Sequence, residues 1–402
     1  MLTDVKLQKR TRRALQNDIL RQKVTNDVTR TASTAAGISS TTKTTTTPGP
    51  KPAPTTAVLI LTYQRSGSSL IGELFNQNPS AFYLFEPLWA LYENKINPTF
   101  PSTLLLANGN KRPMPATEDF GSFSQELITN MARCDLGQVP MEILAPFGDD
   151  GHWFFSANGR HKALAKYIDC IKKDNDAKKD ALCVPLAQAV CDNSTIRAIK
   201  TIRFRMWMLE RVLLENPGMK VIHLFRDPRA SILSRFTSTQ AGCKLEFEAS
   251  ARCYDMSKDL TTGGHLFKKY PGRIMRILYE DMADYPMETA QKIHMFLGKE
   301  LPKNVLDWVL ENTAAGVNDT ELFETTRANS SETAHAWELS IPTDMAFKID
   351  EICYDVIEEL GIGILPLVQK KGRWCIFQNH VAWATIEVAL QSEAILKNHE
   401  DE

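Results

Sequence analysis

From Ala57 onward, short apolar runs alternate with stretches whose apolar positions recur every three to four residues. Ala57 to Thr62, Ala81 to Phe85, Ile196 to Ile202, Lys220 to Phe225 and Arg273 to Tyr279 read as strands. Between them, Ser68 to Gln77 sets Leu70, Ile71, Leu74 and Phe75 on one helical face, and Met206 to Glu215 and Pro228 to Phe236 also read as helices. Strands that are apolar throughout are buried on both faces. Separated by helices, they predict an α/β fold with a central parallel sheet covered by helices. Residues 98 to 195 are less regular and are expected to form insertions over the edge of the sheet that carries the site. Pro342 to Gly361 predicts a late amphipathic helix.

The pattern fails at both ends of the chain. Residues 31 to 56 are rich in Thr, Ser, Pro and Lys, with too little apolar surface to offset ordering entropy, so residues 1 to 56 are expected to be a disordered or stalk-like segment. The first 30 residues carry eight Lys/Arg against three Asp and no apolar centre, unlike a signal peptide. Residues 57 to 369 are expected to form the folded domain. Residues 370 to 402 form an atypical tail, in which Glu387 to Lys397 has an amphipathic period.

Bulk properties narrow the chemistry. A formal net charge of -1 argues against general binding of nucleic acid or another polyanion, so any anion site must be local. The eight cysteines form no CxxC pair and no cluster with histidine, so no metal is expected. Three sequons, at Asn193, Asn318 and Asn329, together with the cysteine number, lean towards a secretory lumen, although sequons also arise by chance. No run of 18 apolar residues is present to cross a membrane.

Two strand–loop–helix junctions carry candidate anion-binding chemistry. The first is Tyr63-Gln64-Arg65-Ser66-Gly67-Ser68-Ser69. Gly67 admits a close backbone approach, the following helix offers its positive end, Ser66, Ser68 and Ser69 add hydroxyls, and Arg65 adds a forked cation. The loop lacks the Lys of a Walker A sequence. In the second, Arg226 ends a strand, Asp227 can cap the next helix and Pro228 suits its first position. Arg226 and Ser234 are then placed to meet one phosphate. Either junction alone is also explained as a capped helix, with Arg226 and Arg229 in solvent.

Longer stretches around these junctions resemble one family. Thr62 to Pro79, followed by Leu84-Phe85-Glu86-Pro87-Leu88-Trp89, closely resembles the 5′-phosphosulfate loop of the carbohydrate 6-O-sulfotransferases. Val221 to Ala230, with Ser234-Arg235, resembles their 3′-phosphate element. Tyr279-Glu280-Asp281-Met282 and Arg327 to Trp337, with Cys353 and Leu360-Gly361, resemble two further blocks, so the likeness runs from about Ala57 to Pro366. It implies the sulfotransferase fold, a P-loop-type three-layer α/β structure. It also implies sulfuryl transfer from 3′-phosphoadenosine 5′-phosphosulfate (PAPS) to the 6-hydroxyl of galactose, N-acetylglucosamine or N-acetylgalactosamine in a keratan-, chondroitin- or N-acetylglucosamine-type glycan. Golgi lumenal location and membrane association follow from the family, although no anchor is visible in this chain.

Carried over by residue, Arg65, Ser66, Gly67, Ser68 and Ser69 would hold the 5′-phosphosulfate, and Arg226 and Ser234 the 3′-phosphate. Arg65 stands where many sulfotransferases have a catalytic Lys. Glu86 follows the second strand, where related heparan-type enzymes place a general base, and it is a candidate to accept the proton of the sugar hydroxyl. A capping or ion-paired Glu86 is the alternative. His223 reads as packed in its strand, and His152 and His161 lie in the irregular region. Rival readings are a non-catalytic PAPS- or glycan-binding relative and a P-loop nucleotide kinase.

Overall fold

The computed structural model describes residues 55–89, 91, 102–145, 161–171, 177–239, 245–313 and 329–363. Its strands are β1 (Thr56–Leu61), β2 (Ala81–Phe85), β3 (Thr103–Leu105), β4 (Lys111–Pro113), β5 (Ile196–Thr201), β6 (Lys220–Phe225) and β7 (Ile274–Leu278). Five of them form one sheet in the order β2-β5-β1-β6-β7, with every pair parallel. Leu59 lies in register with Ile199 on one side and Val221 on the other.

Alternation by the pleat divides the strand residues between two cores. Leu59, Leu61, Phe82, Leu84, Ile199 and Val221 face one, and Val58, Ile60, Tyr83, Ala198, Ile222 and Leu224 face the other. Both faces are therefore dry, which is why these strands carry no polar alternation in sequence. The helices that matter for the site are α1 (Ser68–Asn76), α2 (Phe120–Arg133), α3 (Leu209–Glu215), α4 (Pro228–Thr239), α5 (Leu245–Lys269), α6 (Tyr279–Asp284), α7 (Ser330–His335) and α8 (Thr343–Ile352).

Two expectations need correction. The region from 98 to 195 is more than a set of insertions: Leu127, Ile128 and Met131 of α2 pack with Leu59 and Ile199, so α2 is part of the layer covering the sheet. The predicted late helix is divided, because the backbone turns at Cys353 (φ -102, ψ 14) between α8 and a short helix, Tyr354–Glu359. Cys353 is disulfide-bonded to Cys253 of α5, which ties this C-terminal part to the sheet layer. Cys134–Cys191 and Cys170–Cys183 staple the irregular region. Cys243, Cys375, the amphipathic stretch Glu387 to Lys397 and the basic N-terminal segment lie outside the described residues.

Helix α5 was not predicted. Its buried positions Ala249, Cys253, Met256, Leu260 and Leu266 keep helical spacing, but charged residues and the Gly263-Gly264 pair interrupt the pattern. At Gly263 the helix comes close to its neighbour: a Cβ there would stand 3.2 Å from the Met206 methyl.

Candidate active site

The site lies at the carboxyl ends of β1, β2, β5 and β6, where a parallel sheet leaves a crevice beside its central strand. Residues 62–67 fold back between β1 and α1. Thr62 extends the ladder by one bond, its N–H donating to Thr201 O at 3.2 Å. The Ser66 N–H donates to Tyr63 O at 3.3 Å, the Ser66 hydroxyl donates to the same carbonyl, and Tyr63 N–H donates to Ser66 Oγ at 3.2 Å. Ser66 is 1% exposed. The Ser66 side chain is turned inward here and its hydroxyl braces the turn. Gly67 has φ 72, and a Cβ on it would lie 2.0 Å from the Tyr279 ring. Only glycine fits that approach.

Guanidinium groups take the carbonyls of this loop. Arg252 Nη1 donates to Gln64 O at 2.9 Å and Arg226 Nη1 donates to Arg65 O at 3.1 Å. Arg235 donates to the Gln64 side chain. The first N–H groups of α1 have no intrahelical acceptors. With its carbonyls occupied, the loop presents donors, as an anion site requires.

The second junction meets the first. Arg65 Nε donates to Ser234 Oγ at 3.0 Å, across 169 residues of sequence. Arg226 lies over the Tyr279 ring, 4.8 Å from its centroid. Its Nε is buried and has no hydrogen-bond partner among the described residues. A buried guanidinium N–H left without an acceptor costs about 1–3 kcal/mol. Asp227 caps α4, its Oδ1 accepting the Arg229 N–H at 2.9 Å. Arg229 is not solvated as the plain-cap alternative requires: it is 2% exposed and paired with Asp227 at 2.7 Å and Asp350 at 3.1 Å. Beneath this turn, Glu280 Oε1 accepts the Asp227 N–H at 3.0 Å. Burial, and then the nearby Asp227 charge, lift the Glu280 carboxyl to about 7.

Glu86 is ion-paired, the alternative that the sequence left open beside a general base. Its Oε1 is 2.5 Å from Lys200 Nζ, and its Oε2 accepts from Arg203 Nη1 at 3.0 Å and from the Ile202 N–H at 3.2 Å. The carboxylate is 3% exposed, so both oxygens are committed within the protein. Its backbone is held at φ 50 and that of Arg65 at φ 64. Residues other than glycine seldom adopt this region, and such strain gathers at functional sites. His161 Nε2 accepts the Phe85 N–H at 3.1 Å and is occupied there. His152 lies outside the described residues.

Residues 55–361 match the sulfotransferase domain family. Carbohydrate sulfotransferase 1 of Danio rerio is 30% identical over 335 residues, covering 76% of this chain and 77% of that protein. The chain belongs to the carbohydrate sulfotransferase family. Carbohydrate sulfotransferase 3 of Homo sapiens is 28% identical over 333 residues, covering 76% of this chain and 66% of that protein. Among solved structures, the sulfotransferase domain from the curacin biosynthetic pathway has 15% identity and a TM-score of 0.41, covering 78% of this chain and all (100%) of that one.

In this carbohydrate sulfotransferase several site residues had no motif to announce them. Lys200 and Arg203 left one clue, a lysine within the otherwise apolar end of β5. A second group lies behind the first loop. The Tyr63 hydroxyl donates to Asp259 Oδ2 at 2.8 Å and stands 3.2 Å from His223 Nε2, and Asp259 Oδ1 accepts the Met206 N–H at 2.9 Å. Burial raises the Asp259 carboxyl to about 6 and pushes the His223 imidazole well below its usual value. His223 is thus a packed residue of the network, as its strand position implied. Of the sequons, Asn193 and Asn329 are exposed, and the Asn329 side chain caps α7 by accepting the Ser331 and Glu332 N–H groups. Asn318 lies outside the described residues. Among the described residues, no helix is long and apolar enough to cross a membrane.

Proposed function

We propose that the protein moves the sulfuryl group of PAPS to the 6-hydroxyl of a galactose, N-acetylglucosamine or N-acetylgalactosamine residue in a glycan, within the Golgi lumen. The folded unit is assigned to 57–369 together with Thr56, which opens β1, with the residues before it as a stalk and 370–402 as a tail. The observation that carries the reading is the meeting of the two junctions: Arg65 Nε on Ser234 Oγ at 3.0 Å and Arg226 Nη1 on Arg65 O at 3.1 Å. One patch then offers two guanidinium groups, a serine hydroxyl and a helix N-terminus. PAPS carries anionic groups at both its 5′ and 3′ positions, which suits that donor set.

The donor supplies the sulfuryl group. Gly67, Ser68 and Ser69 hold its 5′-phosphosulfate with backbone N–H groups and hydroxyls, and Arg226 and Ser234 hold the 3′-phosphate. Arg65 neutralises charge developing on the bridging oxygen as the sulfuryl group leaves, a contribution of about 2.7–4 kcal/mol to the barrier. Glu86 is buried and already accepts from Lys200, Arg203 and the Ile202 N–H, which limits its access to a sugar hydroxyl. We therefore assign it first to positioning: it orders those two cations beside the acceptor. Incubation with 35S-labelled PAPS and a panel of desulfated glycans tests the reading, with label expected at the sugar 6-position. Binding of PAPS with no transfer to any glycan would make the protein a binder rather than an enzyme.

A further inference from the structure

Trp207 is 52% exposed on a segment whose neighbours Met206 and Met208 are fully buried. Exposing a large indole forfeits apolar burial, and here the loop that does so is rigid. It runs from the end of β5 to α3 and is fixed at both ends. The Ile202 N–H and the Arg203 side chain bind Glu86 at 3.2 and 3.0 Å. Arg205 Nη2 binds Asp255 at 2.9 Å, the Met206 N–H binds Asp259 at 2.9 Å, and Gln125 Nε2 donates to Met208 O at 2.9 Å. The indole rests on Gly121 of α2, where a Cβ would lie 2.6 Å from its Cη2. The glycine admits the Cη2 edge of the ring against the helix, with Cζ3 and Cζ2 at 3.3 and 3.5 Å from that Cβ position.

The position of the loop decides which partner suits it. Helix α2 runs opposite to the strands: Ala132 O, near its end, accepts from Arg197 at the start of β5, so Gly121 and Trp207 lie at the carboxyl edge of the sheet. The same loop joins the Glu86 end of β2 to Asp259, which holds Tyr63 beside the phosphosulfate loop. Trp207 therefore belongs to the same edge as the transfer site, on the side away from Arg226. We propose that Trp207 is a stacking platform for one pyranose ring of the acceptor glycan. The C–H face of the sugar lies on the indole, whose N–H remains available to a hydroxyl. A pre-ordered aromatic gives contact area at little entropic cost, since neither loop nor ring needs to be immobilised on binding.

This inference rests on the glycan reading above, and the test separates the two. An unsulfated galactose/N-acetylglucosamine tetrasaccharide is titrated into wild type, Trp207→Ala and Trp207→Phe, each saturated with desulfated nucleotide. Acceptor kinetics and melting temperature are measured alongside. Trp207→Ala is expected to weaken the oligosaccharide and raise acceptor KM roughly threefold to tenfold, with nucleotide affinity and melting temperature unchanged and Trp207→Phe in between. Unchanged acceptor KM in an enzyme that sulfates glycans would overturn the platform alone. So would a lowered melting temperature with binding lost in proportion, or a change in oligomeric state, since the ring would then cover another part of this protein. Wild type that binds nucleotide but neither binds nor sulfates any glycan would sink the function reading, and the platform with it.

Discussion

Glu86→Gln separates the two roles open to that residue. The substitution preserves shape but replaces a buried anion held between Lys200 and Arg203. The Lys200 side chain is only 5% exposed and its Nζ lies 4.3 Å from the Phe85 ring centroid, so solvent does little to compensate its charge. Removing one partner of such a pair costs about 3–5 kcal/mol. At roughly 2 °C per kcal/mol for a domain of this size, the melting temperature should fall by about 6–10 °C. A Glu86 that acts only as a base predicts something else: turnover lower by about 10²–10⁴-fold with stability and PAPS affinity intact. Calorimetry, nucleotide titration and sulfate transfer on the same preparation distinguish these outcomes. We expect the melting temperature to fall, and turnover corrected for folded protein to fall because Lys200 and Arg203 lose their anchor. A variant that melts like wild type would refute the positioning argument.

Other expectations follow from named contacts. Arg226→Ala should weaken PAPS and the desulfated product alike, whereas Arg65→Ala should lower turnover roughly 10²–10³-fold with a smaller loss of product affinity; titration calorimetry beside turnover checks the contrast. Hydrogen bonds to Asp284 and Glu338 raise His335 to about 9. Because the folded value lies above the unfolded one, this stabilisation is complete below about pH 6.5 and is lost as pH rises through about 9. Melting curves should therefore show a decline over that window that is smaller in His335→Gln. Peptide mapping of protein from a secretory host should recover Cys134–Cys191, Cys170–Cys183 and Cys253–Cys353. Replacing the last pair, which closes a separation of 100 residues, should cost about 3–5 kcal/mol in chemical denaturation.

The sequence by itself determined what is local. Predominantly apolar runs marked the five strands of the main sheet to within a residue or so at their ends, because strands buried on both faces, β1 and β2 above all, keep few polar positions. The two strand–loop–helix junctions were legible for a similar reason: a glycine in a tight turn, a capping Asp and a Pro after it act within a few residues of each other. Helix α5 was missed because much of its surface is polar and its interior spacing is interrupted, so only packing against α8 and the network at Asp259 reveals its inward face. What only the tertiary structure decided is which distant groups share a charge. Glu86 and Lys200 are 114 residues apart, and no local pattern in either strand says that β5 inserts between β1 and β2. Once it does, strand register brings the lysine to the carboxylate and makes a buried ion pair. Ser66 shows the same division at short range. Its place in the loop was evident, but the side-chain torsion that points its hydroxyl at Tyr63 O is set by the packing of the folded turn, and composition carries no information about that angle.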